Sequence, residues 1–147
     1  MSSKASNVTK TFGQSVILDG TKTVLGSTTS VVLSLTPTPT IVASGSSVLT
    51  VAATTSGIIA QNPSANSTLT LPSASLILAA FPQAQVGSTF LLGVINQATA
   101  TFTITLAADS GSSIVGSGII PPLNSYGFRI RFTSVTPGSA TYVAYVV

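Results

Sequence analysis

Residues 101–106 read Thr-Phe-Thr-Ile-Thr-Leu, an unbroken alternation with Phe102, Ile104 and Leu106 on one side and threonine on the other. A period of two in β-branched and aromatic residues is the mark of a half-buried strand. Residues 128–132 repeat it, with Phe128, Ile130 and Phe132 on one face and Arg129 and Arg131 on the other. Residues 141–147 carry apolar or aromatic side chains at both parities, which predicts a strand covered on both faces, by its own fold or by a neighbouring subunit. Further strands are predicted at 90–96, 67–71 and 47–53, and upstream at 15–18, 21–25 and 30–35. Turn residues separate them: Asp19-Gly20, Asn62-Pro63, Asp109-Ser110-Gly111, Pro121-Pro122 and Thr136-Pro137-Gly138.

One short helix is predicted after Pro72, over 73–80, with Leu76, Ala79 and Ala80 on one side and Pro82 as its stop. Eight of the nine aromatic residues lie from Phe81 onward, so the main core belongs to the C-terminal part. The run Thr36-Pro37-Thr38-Pro39-Thr40 favours extended backbone and lacks two amide donors. The expected organisation is an N-terminal arm or extension with strand-forming stretches at 1–46 and a compact domain at 47–147. The expected fold class is all-β, a jelly-roll-like antiparallel β-sandwich with one short helical turn and an extended arm. No repeat of 20–50 residues is evident in the sequence.

Charge changes this picture most. Only Lys4, Lys10, Asp19, Lys22, Asp109, Arg129 and Arg131 are ionised, and the 86 residues 23–108 carry no charge. Free soluble domains devote about 25% of their residues to charge; this chain devotes 5% and carries 23 serines and 22 threonines instead. A hydroxyl-rich exterior is wettable but does not repel copies of itself. Burying hydroxyls against a neighbour also costs far less than burying charges. The pattern predicts a protein made to pack against copies of itself or against partners.

The same composition removes most chemistry. There is no histidine, cysteine or glutamate, so the common general bases, thiolate metal sites and disulfides are absent. Asp19 and Asp109, the two carboxylates, both sit in turn sequences, and two isolated carboxylates cannot fill a cation site. Lys4, Lys10 and Lys22 are the only amines available to a serine nucleophile, and no GxSxG elbow occurs. Gly116-Ser117-Gly118 runs into Ile119-Ile120-Pro121-Pro122, which cannot open the helix of a dinucleotide site. The reading is a non-enzyme with no catalytic, cofactor or metal residues. Five scattered cations make no nucleic-acid stripe. The polar start of the chain is read as no signal peptide, and no membrane association is expected. Asn7-Val8-Thr9 and Asn66-Ser67-Thr68 match the glycosylation sequon as expected by chance in so Ser/Thr-rich a chain.

Several segments together carry a resemblance. They are Thr68-Leu69-Thr70-Leu71-Pro72-Ser73-Ala74, Val86-Gly87-Ser88-Thr89-Phe90, Val94-Ile95-Asn96, residues 101–106, Gly111 with Ile114-Val115-Gly116, and residues 128–132. Over 47–147 the chain resembles the C-terminal β-domains of structural proteins of tailed phages and large DNA viruses. The resemblance implies a small jelly-roll domain, often trimeric, serving as a capsid decoration, minor capsid, spike or fibre component in the virion, with other virion proteins as partners. It implies no catalytic residue. The expected oligomer contacts are Tyr142, Tyr145, Val147, Phe128 and Phe132, and the expected polar partner contacts are Arg129 and Arg131. The alternatives are a glycan- or receptor-binding module using Tyr126, Tyr142 or Tyr145, and a non-viral self-assembling filament subunit.

Overall fold

The period-two runs become the strands of two stacked sheets. The structure, a computed structural model, describes residues 39–147. The expected strands at 15–18, 21–25 and 30–35 lie outside those residues. Within them run β1 (Thr40–Val42), β2 (Ser47–Val48), α1 (Val51–Thr55), β3 (Ile58–Gln61), β4 (Ser67–Thr70), α2 (Ala74–Ala80), β5 (Thr89–Asn96), β6 (Ile104–Ala107), β7 (Ser112–Val115), β8 (Ile119–Ile120), β9 (Ser125–Ser134) and β10 (Thr141–Val146). One sheet has the order β1-β3-β5-β9-β10-β7, the other β2-β4-β6-β8. The all-β sandwich expected from the sequence is therefore present, with two corrections.

First, the pairing is mostly parallel, not antiparallel. The pairs β1–β3, β3–β5, β2–β4, β4–β6 and β7–β10 run parallel, and only β5–β9, β9–β10 and β6–β8 run antiparallel. The cause lies in the connections. From β1 to β6 the chain changes sheet at every strand, so it re-enters each sheet in the same direction as before. The result is a stack of three rungs, each a strand, a turn and a strand. In register, Thr40, Ile59 and Val94 lie side by side in one sheet, and Ser47, Leu69 and Leu106 in the other. A repeat is thus present in space, although turns of unequal length disguise it in the sequence. Second, there are two helices among the described residues. The expected strand 47–53 is cut to two residues because Thr50 caps α1: its Oγ1 accepts from the Ala53 amide at 3.1 Å. The expected helix near 73–80 is α2, which ends before Pro82.

The compact unit also begins earlier than expected. Thr40–Val42 pairs with β3, so the boundary at 46/47 falls inside the folded unit.

The core lies between the sheets. Phe90, Leu92, Val94, Phe128, Ile130, Phe132, Tyr142 and Ala144 face it from the larger sheet, and Leu69, Ile104, Leu106 and Ile120 from the smaller. Two buried amides bind the rungs together. Gln61 Nε2 donates to the carbonyls of Ala43 (2.7 Å) and Gly45 (2.8 Å), and its Oε1 accepts from Ser67 Oγ at 2.7 Å. In the next rung Asn96, Gln61's register partner, donates Nδ2 to Phe102 O (2.9 Å) and Ile120 O (3.0 Å) and accepts from the Ala98 amide. Each amide closes a turn that passes from one sheet to the other.

Glycine is required at one tight crossing. Gly111 has φ 73°, and a Cβ there would stand 2.6 Å from the Ala140 carbonyl oxygen and 3.0 Å from Ala74 Cβ. Both obstacles sit on packed backbone, so neither yields easily. The Gly111→Ala variant is expected to lose about 2–3 kcal/mol, from left-handed strain plus the clash. Urea unfolding reads this directly, and a midpoint equal to that of the parent would contradict the crossing.

Tyr142 crosses the core and donates its hydroxyl to the Pro72 carbonyl at 2.6 Å. Burial pushes its pKa up to about 12 from 10.0; a hydrogen bond with Ser112 acts against that shift, and the Asp109 charge adds to it. The folded state therefore holds the proton more tightly than the unfolded chain. This contribution to stability is complete below pH 10 and is lost as pH rises from about 10 to about 12. The loss amounts to roughly 2–3 kcal/mol. Unfolding midpoints across this range should fall in the parent protein, and the part due to this phenol should vanish in Tyr142→Phe. A fall of the same size in the variant would assign the effect elsewhere.

Candidate functional surface

The inner side of the six-stranded sheet is spent on the core, so recognition by this sheet rests on its outer side. Strand parity decides what stands there. In β9, Phe128, Ile130 and Phe132 point inward, which forces Arg129 and Arg131 outward; both are exposed. In β10, Tyr142 and Ala144 point inward and are buried, while Val143 and Tyr145 face out and are half-buried. In β5 the inward Phe90 and Leu92 leave Leu91 outside.

Register lines these residues up in rows. Leu91 stands opposite Arg129, Arg129 opposite Tyr145, and Tyr145 opposite Val115. The row beside it reads Thr89, Arg131, Val143, Ser113. Strands lie about 4.8 Å apart, so four of them give rows roughly 15 Å long. Leu91 and Val115 are 57% and 53% exposed. On the other side of Leu91 and Arg129, Gly93 pairs with Gly127, a stretch without side chains. Val147 partly closes it, since its amide donates to Gly127 O and its Cγ2 stands 3.2 Å from where a Gly127 Cβ would be.

This face gathers both cations of the described residues with the apolar Leu91, Val115 and Val143 and the aromatic Tyr145. The one acidic side chain among the described residues, Asp109, is elsewhere, in the turn between β6 and β7, where its backbone carbonyl and amide both engage Ser112 Oγ. The Asp19 half of the carboxylate pair lies outside the described residues. Gly116-Ser117-Gly118 forms the tight connection from β7 to β8, with Gly118 O accepting from the Leu106 amide. Asn66 of the second sequon accepts from the Thr103 amide at 3.0 Å. Among the described residues no three metal-ligating side chains cluster, and no helix is long and apolar enough to cross a membrane.

The expected contact residues divide by parity. Tyr145 and Val147 do stand on this face. Phe128, Phe132 and Tyr142 do not: they fill the subunit's own core, with Phe132 and Tyr142 packed edge to face at 6.4 Å between ring centres. They are corrected from contact residues to core residues, because their even numbers put them on the side opposite Arg129, Arg131 and Tyr145. Tyr126 is half-buried. Leu91, Val143 and Val115 were missed, although the run Phe90-Leu91-Leu92 signals that a strand cannot hide both parities behind one core.

The chain matches no family model, no curated protein and no solved structure.

Proposed function

We propose that this chain is a structural subunit that self-assembles, with the outer face of the six-stranded sheet as its contact surface. One observation carries the reading. Of the 109 residues described, only Asp109, Arg129 and Arg131 are charged, and the broadest regular face presents Leu91, Val115 and Tyr145 to water. Such a face has its apolar part poorly shielded and little repulsion to keep copies apart.

The arginines bear on symmetry. A two-fold contact through this face would set the same Arg129 and Arg131 against themselves, with no acidic side chain among the face's described residues to offset them. A heterologous contact places them against a different patch of the neighbour; where its rotation closes it gives a ring, of which a trimer is the smallest, and where it does not it gives an open fibre. The setting that the sequence resemblance suggests is a virion, where the subunit would decorate the capsid, act as a minor capsid protein, or build a spike or fibre alongside other virion proteins. A jelly-roll kinship would have to accommodate the parallel rungs, and the assembly reading does not depend on it.

Light scattering coupled to size exclusion tests this. A defined oligomer at micromolar concentration is expected, a mass that grows with concentration would mark an open fibre, and a monodisperse monomer would refute the reading. Tyr145 beside Arg129 favours one alternative, a glycan- or receptor-binding head, because a half-buried, outward-facing aromatic next to a guanidinium suits a sugar or acidic ligand. Silence on a glycan array would remove it.

A further inference from the structure

At one end of the sandwich the chain passes from the smaller sheet to the larger, through α2 between β4 and β5 and through the Asp109 turn between β6 and β7. The two connections pack together: Ser110 O accepts from the Ala74 amide at 3.0 Å. A helix on a wet surface normally turns charged or polar side chains outward. The exposed residues of α2 are instead Ser75, Leu76, Ala79 and Ala80, with Leu76 at 57%. Val86, in the turn that follows, is 61% exposed. This end therefore shows water two large apolar side chains and two alanines.

Charges of opposite sign flank this apolar stretch. Asp109 is exposed and stands at its start, next to the Ser110 that holds Ala74. Arg131 stands at its finish. The Gly87 amide donates to Phe132 O at 2.8 Å, and Arg131 Nη2 lies 3.8 Å from where a Gly87 Cβ would be. Arg131 thus carries its guanidinium to this end of the sheet, while Arg129 sits two residues deeper on the face. The two opposite charges are held apart. In the row Arg131, Val143, Ser113, two strand spacings, about 10 Å, separate Arg131 from the strand that Asp109 leads into. The chain from Ala74 to Gly87 covers that distance and carries Leu76 and Val86 along it.

We propose that this end is a second contact surface, and that it pairs with the same end of a second copy across a two-fold axis. A two-fold contact needs a patch that is its own complement. Negative, apolar, positive is such a patch: half a turn sets Asp109 of each copy against Arg131 of the other, and Leu76 and Val86 against their equivalents. The apolar side chains supply the affinity. The ion pairs are weak where water reaches them and fix the orientation of the two copies. The outer sheet face differs here, because its arginines oppose a two-fold contact. The inference does not rest on the sheet-face reading. Joined to it, end-to-end pairing gives assemblies with an even number of subunits.

Charge reversal tests the pairing, with the full chain carrying Leu91→Lys and Val115→Lys so that the sheet-face contact is removed. In that background light scattering at micromolar concentration is expected to show a dimer. Adding Asp109→Arg sets two cations against each other twice across the axis, and adding Arg131→Asp does the same with two carboxylates. Each reversal alone is expected to weaken the dimer at least about tenfold. Mixed in equal amounts, the two reversed chains regain both opposite-charge pairs, and the dimer is expected to return. Net charge cannot produce that recovery, since one reversal raises it and the other lowers it. Adding Leu76→Lys to both chains of the mixture is expected to abolish the recovery. A monomer in the starting background, reversals without effect, or a mixture no tighter than its parts would overturn the end contact. An oligomer larger than a dimer in the starting background would count against the sheet-face reading instead, and the recovery in the mixture would still decide the end contact.

Discussion

Replacing Asn96 by leucine is expected to destabilise the fold by about 3–5 kcal/mol, although the number of side-chain heavy atoms is unchanged. Asn96 is buried, and its amide serves three backbone groups: the carbonyls of Phe102 and Ile120 and the N–H of Ala98. Leucine satisfies none of them. Each backbone group left unpaired away from water costs about 1–3 kcal/mol, and the better hydrophobicity of leucine recovers part of that sum. The three groups belong to the turn after β5 and to β8, so the loss opens the place where the larger sheet hands the chain to the smaller. Gln61→Leu should behave alike one rung earlier, freeing the Ala43 and Gly45 carbonyls and Ser67 Oγ. Urea denaturation decides the matter: a fall in midpoint with an unchanged slope is expected. A midpoint within about 0.5 kcal/mol of the parent, the usual range for inconsequential surface changes, would show that the amides are not what holds the turns.

How much of this was legible in the sequence depends on what each residue had to decide. Strand β9 was legible because period two names both its type and its buried side, and Phe128, Ile130 and Phe132 did face inward; β5 and β10 were legible as strands, but apolar residues at both parities hid which side the core takes. The start of β6 was not. Residues 101–103 alternate as well as 104–106, yet the Phe102 carbonyl bonds to Asn96 Nδ2, a side chain rather than a ladder partner. Helix α1 was illegible for a related reason. Three of its five residues, Val51, Thr54 and Thr55, are β-branched and favour a strand, and the Thr50 cap on the Ala53 amide sets the helix start instead. Strand direction left no trace in composition, because parallel and antiparallel strands share one period and only the route of the connections separates them. The candidate surface was half legible. Arginines at odd positions in β9 announced an outward face, but counting Phe128, Phe132 and Tyr142 among the contacts ignored the parity that put them with the core.

The assembly reading predicts its largest effect at Leu91 and Val115. Changing both to lysine should weaken self-association by about 100-fold or more, equivalent to about 2.7 kcal/mol or more. Two causes act together. The apolar contact that Leu91 and Val115 offer a neighbour is lost, and two new cations flank the row that already holds Arg129, so any surface docking there meets four positive charges in place of two. Desolvating them without partners is prohibitive. Both positions are exposed on the outer face, so the subunit's own stability should stay within about 0.5 kcal/mol of the parent. The matching control is Thr105→Lys on β6, whose inward neighbours Ile104 and Leu106 set it on the far side of the sandwich. It adds charge without touching the proposed contact. Light scattering over a concentration series should show dissociation of the Leu91→Lys, Val115→Lys variant and retention of the oligomer in the control. An unchanged oligomer in the double variant would move the contact off this sheet. Dissociation in both would mean that net charge, rather than this face, governs association, and salt would then restore the oligomer in each.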